Sequence, residues 1–423
     1  MMLGYLLARQ NIPVIVLEKH RDFNRDFRGD TVHPSTLELM AELGILEEFL
    51  KLPHQELTSV SGIFGDFTFQ GPDFSTLKTR CKFIALVPQW DLLNFLAEKA
   101  QRFPSFQLLM EHEATDLILQ GERALGVKLR SPEGSSEIRS HLVVACDGRH
   151  STVRKAAGLP VQELGVPIDV LWFRMTRHPQ DPEQLLGNVN YGSALILINR
   201  GDYFQAGLII RKGSFEDLKR AGLLSFQHHI QKIAPYLGHR PAEIDSWDQV
   251  KLLSVQINRL KRWHRPGLLL IGDAAHAMSP AGGVGINLAI QDAVAAANLL
   301  TIPLRAGELS DDALPTVQRR REFPARVTQA LQVNAHKGFQ KVFQNNGPLK
   351  APWQLRLAGQ LPGLPRLLAR VVGLGIRPEH IQDPGKLKPR NRAWLRLAGG
   401  AGVVACAIIL VKAQLQKSEC LGA

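Results

Sequence analysis

In the opening stretch MMLGYLLARQNIPVIVLEKH, apolar positions at helical spacing run from Met2 to Gln10. A β-branched apolar run, Val14-Ile15-Val16-Leu17, follows and closes on an acid, Glu18. Asn11 tolerates the left-handed backbone that ends helices, and Pro13 stops continuation. The pattern predicts helix, tight turn, strand and acid, the second half of a dinucleotide-binding βαβ unit. Its first half, a strand and a G-x-G-x-x-G loop, is not in the chain. By the size of such a unit, an upstream piece of about 15 to 25 residues is expected before Met1.

Downstream, a polar loop carrying Arg21, Arg25 and Arg28 leads to RGDTVHPSTLELMAELGILEEF. There Leu37, Met40, Ala41 and Leu43 repeat at helical spacing behind Pro34, a residue suited to a first helical turn. A second amphipathic helix is predicted over 88–100. Alternating strands are predicted over 105–130 and 137–146, around turns at Gly121-Glu122 and Pro132-Glu133-Gly134. From 161 to 258, Val170-Leu171-Trp172-Phe173, Ala194-Leu195-Ile196-Leu197 and Phe204 to Ile210 predict strands of a separate sheet. Glycine-rich and helical sequence returns at 266–300, a further helix is expected over 316–345, and short outer helices over 347–395. The predicted layout is a nucleotide-binding domain in two parts, 1–160 and 259–345. Around it lie a substrate-binding sheet insertion (161–258), a Pro/Gly/Leu/Arg-rich helical extension (346–395) and an apolar tail (396–412).

Composition narrows the function classes. Of 423 residues, 45% are hydrophobic and 21% charged, as in an ordinary globular protein. The net charge of +12 suits nucleic acid, an anionic membrane surface or an anionic cofactor. No zinc-finger spacing, aromatic RNP-like strand or run of five basic residues is present, so no nucleic-acid partner is expected. Cys81, Cys146, Cys406 and Cys420 are scattered, which argues for a reducing, cytoplasmic setting without disulfides or a metal site. No signal peptide is expected ahead of the fold. The tail Leu397 to Val411 is uncharged and flanked by KLKPRNRAWLR and Lys412. As a helix it spans about 22 Å, short of the roughly 30 Å hydrocarbon core. It reads either as a tail touching an anionic leaflet or as a buried or oligomer-forming helix.

Two stretches carry the chemistry. In LVVACDGRHSTVR an apolar strand ends in Asp147-Gly148, with Ser151 and Arg154 at a helix start. An acid, a glycine that lets backbone approach closely and a helix N-terminus suit a sugar-pyrophosphate contact, although an ordinary turn has the same pattern. In GLLLIGDAAHAMSPAGGVGINLAIQDA a second strand delivers Gly272-Asp273. A loop with Pro280, Gly282, Gly283 and Gly285 then feeds an Ala-rich helix. Several glycines just before a helix leave N–H groups open to an anionic or electron-rich ligand.

These segments, in this order and spacing, resemble the flavoprotein aromatic hydroxylases of the para-hydroxybenzoate hydroxylase type, a group that includes ubiquinone-biosynthesis hydroxylases. The likeness spans about residues 2–345. It implies an α/β fold: a Rossmann-like FAD-binding domain, an inserted, mostly antiparallel β-sheet substrate domain and a C-terminal helical region. On this resemblance Glu18 matches the acid on the adenosine ribose, and Arg28 with Gly29 the segment along the ribityl-phosphate side. Gln89 falls near that chain. Asp147 and Gly148 match a motif serving FAD pyrophosphate and the nicotinamide cofactor, and Gly272 and Asp273 one whose acid takes a ribityl hydroxyl. Pro280, Gly282, Gly283, Val284, Gly285, Ile286 and Asn287 match the loop under the isoalloxazine.

The implied activity is FAD-dependent monooxygenation with NADH or NADPH and O2. A flavin C4a-hydroperoxide would hydroxylate an aromatic, quinone-like or polyprenylated small molecule. Because the flavin carries the chemistry, no triad is expected and none is found. Asp30 and His33 approach the flavin's reactive side in the family, although a helix cap explains Asp30 equally. Trp172 and Phe173 are either core residues or walls of the substrate pocket. His276 is expected to hold loop backbone, and Arg211 and Lys212 to be solvated. The alternatives are an isoprenoid reductase or halogenase on the same fold, or a non-catalytic chain with weak FAD binding.

Overall fold

The opening helix forms over Met2–Ala8, and Asn11, at φ +59°, makes the left-handed turn that frees the chain to enter the strand Val14–Glu18. That strand runs parallel to Phe106–Met110, with Val14 opposite Phe106 and Glu18 opposite Met110. The Ser105 hydroxyl donates to the Ala8 carbonyl, so the end of the helix is tied to the neighbouring strand. These features belong to a computed structural model that describes residues 1–24, 31–182 and 185–382.

A second parallel pair joins Val143–Ala145 to Leu268–Leu270, with His264–Arg265 antiparallel on its far side. Among the described residues no strand links the two parallel pairs by hydrogen bonds. The opening helix, the helices Pro34–Glu42 and Gln89–Gln101 and the Val284–Ala306 helix share one core around Leu6, Leu37, Leu96 and Val294. Pro34 occupies the first turn of its helix, as its fixed φ favours. The strands Glu113–Gln120, Arg123–Ser131 and Gly134–Arg139 form a separate antiparallel sheet.

The large sheet is wider than the sequence pattern suggests. Its seven strands run Lys251–Ser254, Ile168–Thr176, Tyr203–Arg211, Ser193–Asn199, Leu185–Asn190, Ser59–Phe64 and Phe67–Asp73. The last two come from the N-terminal third, so the 161–258 insertion is completed by a hairpin that the sequence places in the other domain. One pairing, Leu185–Asn190 with Ser59–Phe64, is parallel and the rest are antiparallel. The hairpin escapes notice because its short strands, SVSGIF and FTFQGPD, lack the long apolar alternation that marks the insertion strands.

Behind the core helix Val284–Ala306 the chain forms the long helix Leu314–Phe343. It then forms the short helices Trp353–Gly359 and Leu364–Ala369 and a π-helical turn, Arg370–Leu374. Among the described residues one helix, Ala281–Ala306, is long and apolar enough to cross a membrane, yet Val294, Ala295 and Ala296 on it are buried in the core. The 397–411 run, the end of the 346–395 extension and Arg25, Arg28, Gly29 and Asp30 lie outside the described residues.

Candidate functional site

The strands Val143–Ala145 and Leu268–Leu270 lie side by side and parallel, so Asp147-Gly148 and Gly272-Asp273 emerge from the same edge of the sheet. The Asp147 carboxylate accepts the Val153 N–H at 3.1 Å, and the Ser151 hydroxyl accepts the Arg154 N–H at 2.9 Å. The two acceptors cap the helix Thr152–Ala156. Gly148 sits at φ +84°. Two arginines bridge the motifs: buried Arg154 donates to the Ala274 carbonyl at 3.0 Å, and Arg149 Nη2 stands 3.6 Å from Asp273 Oδ2. The sequence separates these loops by more than a hundred residues; the fold makes them neighbours.

Gly272 is at φ +59°, and a Cβ there would come within 3.0 Å of Ala289 on the core helix. Its N–H donates at 3.1 Å to Asp292, a wholly buried carboxylate on that helix. Asp292 also accepts His276 Nε2 at 2.6 Å and Arg321 Nε at 2.9 Å. Burial would raise the Asp292 pKa, but the charges and hydrogen bonds of His276 and Arg321 outweigh it and hold the carboxyl below its ordinary range. Arg321, itself buried on the long helix, reaches on to Glu379 at 3.3 Å and to the Arg377 carbonyl at 3.1 Å. His276 therefore meets a carboxylate instead of the loop backbone expected for it; its ring lies 4.6 Å from that of Trp263.

The glycine loop is shaped from two sides. Gly282 and Gly283 lie at φ +78° and +61°, and a Cβ on Gly283 would fall 2.1 Å from the Thr31 hydroxyl oxygen. That hydroxyl donates to the Gly283 carbonyl at 2.9 Å. Asn287 locks the same corner: its Nδ2 donates to the Thr31 and Gly283 carbonyls, and its Oδ1 accepts the His33 N–H at 2.9 Å and the Thr36 hydroxyl at 2.8 Å. From the other side, buried residues of the long helix grip the backbone of 277–281. Gln329 donates to the Ala277 carbonyl at 3.0 Å. Gln332 accepts the Ser279 N–H and donates to the Ser279 and Ala281 carbonyls. His336 Nε2 lies 3.1 Å from the Ser279 hydroxyl, and burial lowers the His336 pKa to about 4. Sequence reasoning missed Asp292, Arg321, Gln329, Gln332 and His336. The available signal was a run of polar residues at 329, 332 and 336, one face of a helix, where a solvated face would read the same way.

The remaining predicted residues are placed as follows. Glu18 ends its strand and accepts the His20 N–H at 3.0 Å; the Met1 ammonium lies close enough to feel the Glu18 charge. Gln89 is the first residue of the Gln89–Gln101 helix. His33 is fully buried, with Nδ1 at 2.8 Å from the Val372 carbonyl, and burial lowers its pKa to about 4. On the large sheet Trp172 and Phe173 point to opposite faces, as strand alternation requires. Phe173 is packed with Phe226 beneath the helix Leu223–Ile233. Trp172 faces the long helix, in a cluster with Val333 and Phe339, and its indole lies against Gly207. Lys212 is not simply solvated: it donates to Asp169 at 3.1 Å and to the Val255 carbonyl at 2.7 Å.

The geometry suits the riboflavin side of FAD. Among the described residues no side chain caps the first turn of the Val284–Ala306 helix, so its N–H groups and positive end are open to an electron-rich ring. Asp273 is partly exposed beside Arg149, whose Nη1 is a buried donor with no partner among the described residues. The donor set and the left-handed glycines match a flat, hydroxylated, anionic ligand.

A protein-family model described as an FAD binding domain matches residues 1–331. The chain is 31% identical over 343 residues to 6-methylpretetramide 4-monooxygenase of Streptomyces rimosus, covering 78% of this chain and 79% of that protein. It is 27% identical over 305 residues to rifampicin monooxygenase of Streptomyces venezuelae, covering 69% of this chain and 60% of that one. Two solved structures share the fold. A probable FAD-dependent monooxygenase of Pseudomonas aeruginosa superposes with a TM-score of 0.68 at 21% identity over 81% of this chain and 96% of that one. The p-nitrophenol 4-monooxygenase of Pseudomonas putida superposes with a TM-score of 0.70 at 17% identity, over 87% and 93%.

Proposed function

The chain belongs to the FAD-binding-domain family of FAD-dependent aromatic hydroxylases, and from that premise we propose that it hydroxylates a polycyclic or quinone-like aromatic small molecule, with NADH or NADPH as reductant and O2 as co-substrate. One observation carries the reading: two strand-end acids far apart in sequence, Asp147 and Asp273, are brought together by Arg149 and Arg154, and Gly272 packs against Ala289 of the helix whose first turn no side chain caps.

FAD, when bound, supplies hydride acceptance and oxygen activation; the protein supplies position and environment. Asp273 would accept a ribityl hydroxyl, and Arg149 would offer its unpaired N–H. The loop 280–287 would present backbone N–H groups to the electron-rich edge of the ring, worth roughly 0.3 to 2 kcal/mol for the helix end alone. Asp147 and Gly148 would serve the pyrophosphate side and the nicotinamide cofactor, Glu18 the adenosine ribose, and Gln89 the chain between them. Trp172, on the sheet face toward the long helix, would wall the substrate pocket and offer an indole N–H that has no partner among the described residues. An electron-rich polycyclic substrate is favoured by the relatives that act on 6-methylpretetramide and rifampicin.

The test is reconstitution. Purified chain mixed with FAD should show a flavin band at about 450 nm and oxidise NAD(P)H faster with substrate, consuming O2 without a halide. A colourless protein that FAD cannot reconstitute overturns the proposal; reduction of substrate without oxygen uptake points to the reductase alternative.

A further inference from the structure

We propose that the C-terminal helical region carries a docking face for an anionic lipid bilayer, built from Trp353, Leu357 and Leu361 together with Arg366 and Arg370. These three side chains are 57%, 52% and 52% exposed and recur every four residues through the helix Trp353–Gly359 and the turn after it. Large apolar side chains are seldom left outward in such a row, and a Trp beside leucines is the composition of an interfacial helix. The helix is held from its other side. Arg356 pairs with Asp66 at 2.7 Å and lies over the Phe67 ring, and Gly359 sits so close to Phe67 that a Cβ would come within 3.0 Å of it. The row is therefore presented outward by a fixed helix.

Charge selects the occupant. Between residues 323 and 378 the sequence has no Asp or Glu and eight Lys or Arg. Arg366 and Arg370 meet Lys78 around a cavity of about 310 Å³ that Leu77 and Leu374 also line. None of these three cations is in an ion pair among the described residues. This basin, formed by the helix and turn that follow the row in the chain, suits a phosphate headgroup whose acyl chains lie against the apolar side chains. The chain's own 397–411 run is a poorer occupant, because its flank KLKPRNRAWLR carries the same sign of charge. A second copy joined face to face would likewise oppose cations to cations. An anionic surface, by contrast, complements the charge of the face.

The experiment is co-sedimentation of the full chain with phosphatidylcholine vesicles, with and without phosphatidylglycerol. The expected result is binding that requires phosphatidylglycerol and weakens as salt is raised. Brominated lipid should quench tryptophan emission, and Trp353→Phe should remove that part of the quenching. Replacing Trp353, Leu357 and Leu361 together by Ser should lower the partition coefficient by about tenfold or more. Arg366→Glu with Arg370→Glu should do the same, with far-UV circular dichroism and melting temperature unchanged in both variants. Binding that survives both sets of substitutions overturns the proposal and assigns any membrane affinity to the tail. A serine variant that changes the mass in solution from dimer to monomer overturns it in favour of a second copy.

Discussion

The Asp292 carboxylate accepts the backbone N–H of Gly272 at 3.1 Å, which fastens the strand end bearing Asp273 to the core helix that starts at the glycine loop. The same carboxylate takes His276 and Arg321, and Arg321 continues to Glu379 near the end of the described chain. Loop, core helix, long helix and C-terminal segment thus share one buried charge network, and the position of Asp273 depends on all of them.

Replacing Asp292 by Asn should be severe, because buried Arg321 loses one of its two carboxylate partners and buried His276 the only one it has among the described residues. A loss of about 3–5 kcal/mol in unfolding free energy is expected, read by urea denaturation, together with loss of bound FAD. The Asp292 pKa is lower folded than unfolded. Its contribution is therefore complete above the ordinary carboxylate range and is lost as pH falls through the folded value. In Asp292→Asn that part of the acid dependence should vanish; an unchanged acid limb would contradict the assignment.

Gly283→Ala and Gly307→Ala form a matched pair. Both glycines are left-handed, at φ +61° and +70°, but only at Gly283 does a Cβ collide, 2.1 Å from the Thr31 hydroxyl. Gly307→Ala should cost about 1 kcal/mol of stability through backbone strain and leave FAD affinity unchanged. Gly283→Ala should add displacement of Thr31 and weaken FAD binding about tenfold or more, measured by fluorescence titration.

Gln332 makes three hydrogen bonds to the backbone of Ser279 and Ala281. Gln332→Ala should loosen the loop, cost about 1–3 kcal/mol for each backbone group left buried without a partner, and raise the FAD dissociation constant. Gln332→Glu should fare no better, since a carboxylate cannot donate to the two carbonyls. A Glu variant with wild-type FAD affinity would show that the amide N–H groups do not hold the loop.

His33 and His336 are held neutral by burial, each with a pKa lowered to about 4 from 6.5. Between these values the unfolded chain binds protons that the folded chain refuses, so stability rises with pH there and falls on acidification. The loss is up to about 3 kcal/mol per residue at pH 4. His336→Gln keeps a polar partner for Ser279 and should flatten this limb of the melting temperature against pH. A limb of unchanged slope would assign the effect elsewhere.

The sequence by itself determined the local units. Asn11 and Pro13 set the first turn, Val14 to Glu18 the strand and its acid, Pro34 the start of its helix. Asp147-Gly148 and Gly272-Asp273 read as strand ends because an apolar run followed by an acid and a glycine is legible within a few residues. The glycine loop ahead of the Val284–Ala306 helix was legible for the same reason. Only the tertiary structure decided what those units touch. Ser59–Phe64 and Phe67–Asp73 join the large sheet through pairing with strands more than a hundred residues away. His276 turns to Asp292, and Gln329, Gln332 and His336 grip a loop some fifty residues upstream. Such contacts leave no periodicity behind: a buried polar side chain satisfied at long range and an exposed one satisfied by water occupy the same place in a helical pattern, and only burial tells them apart.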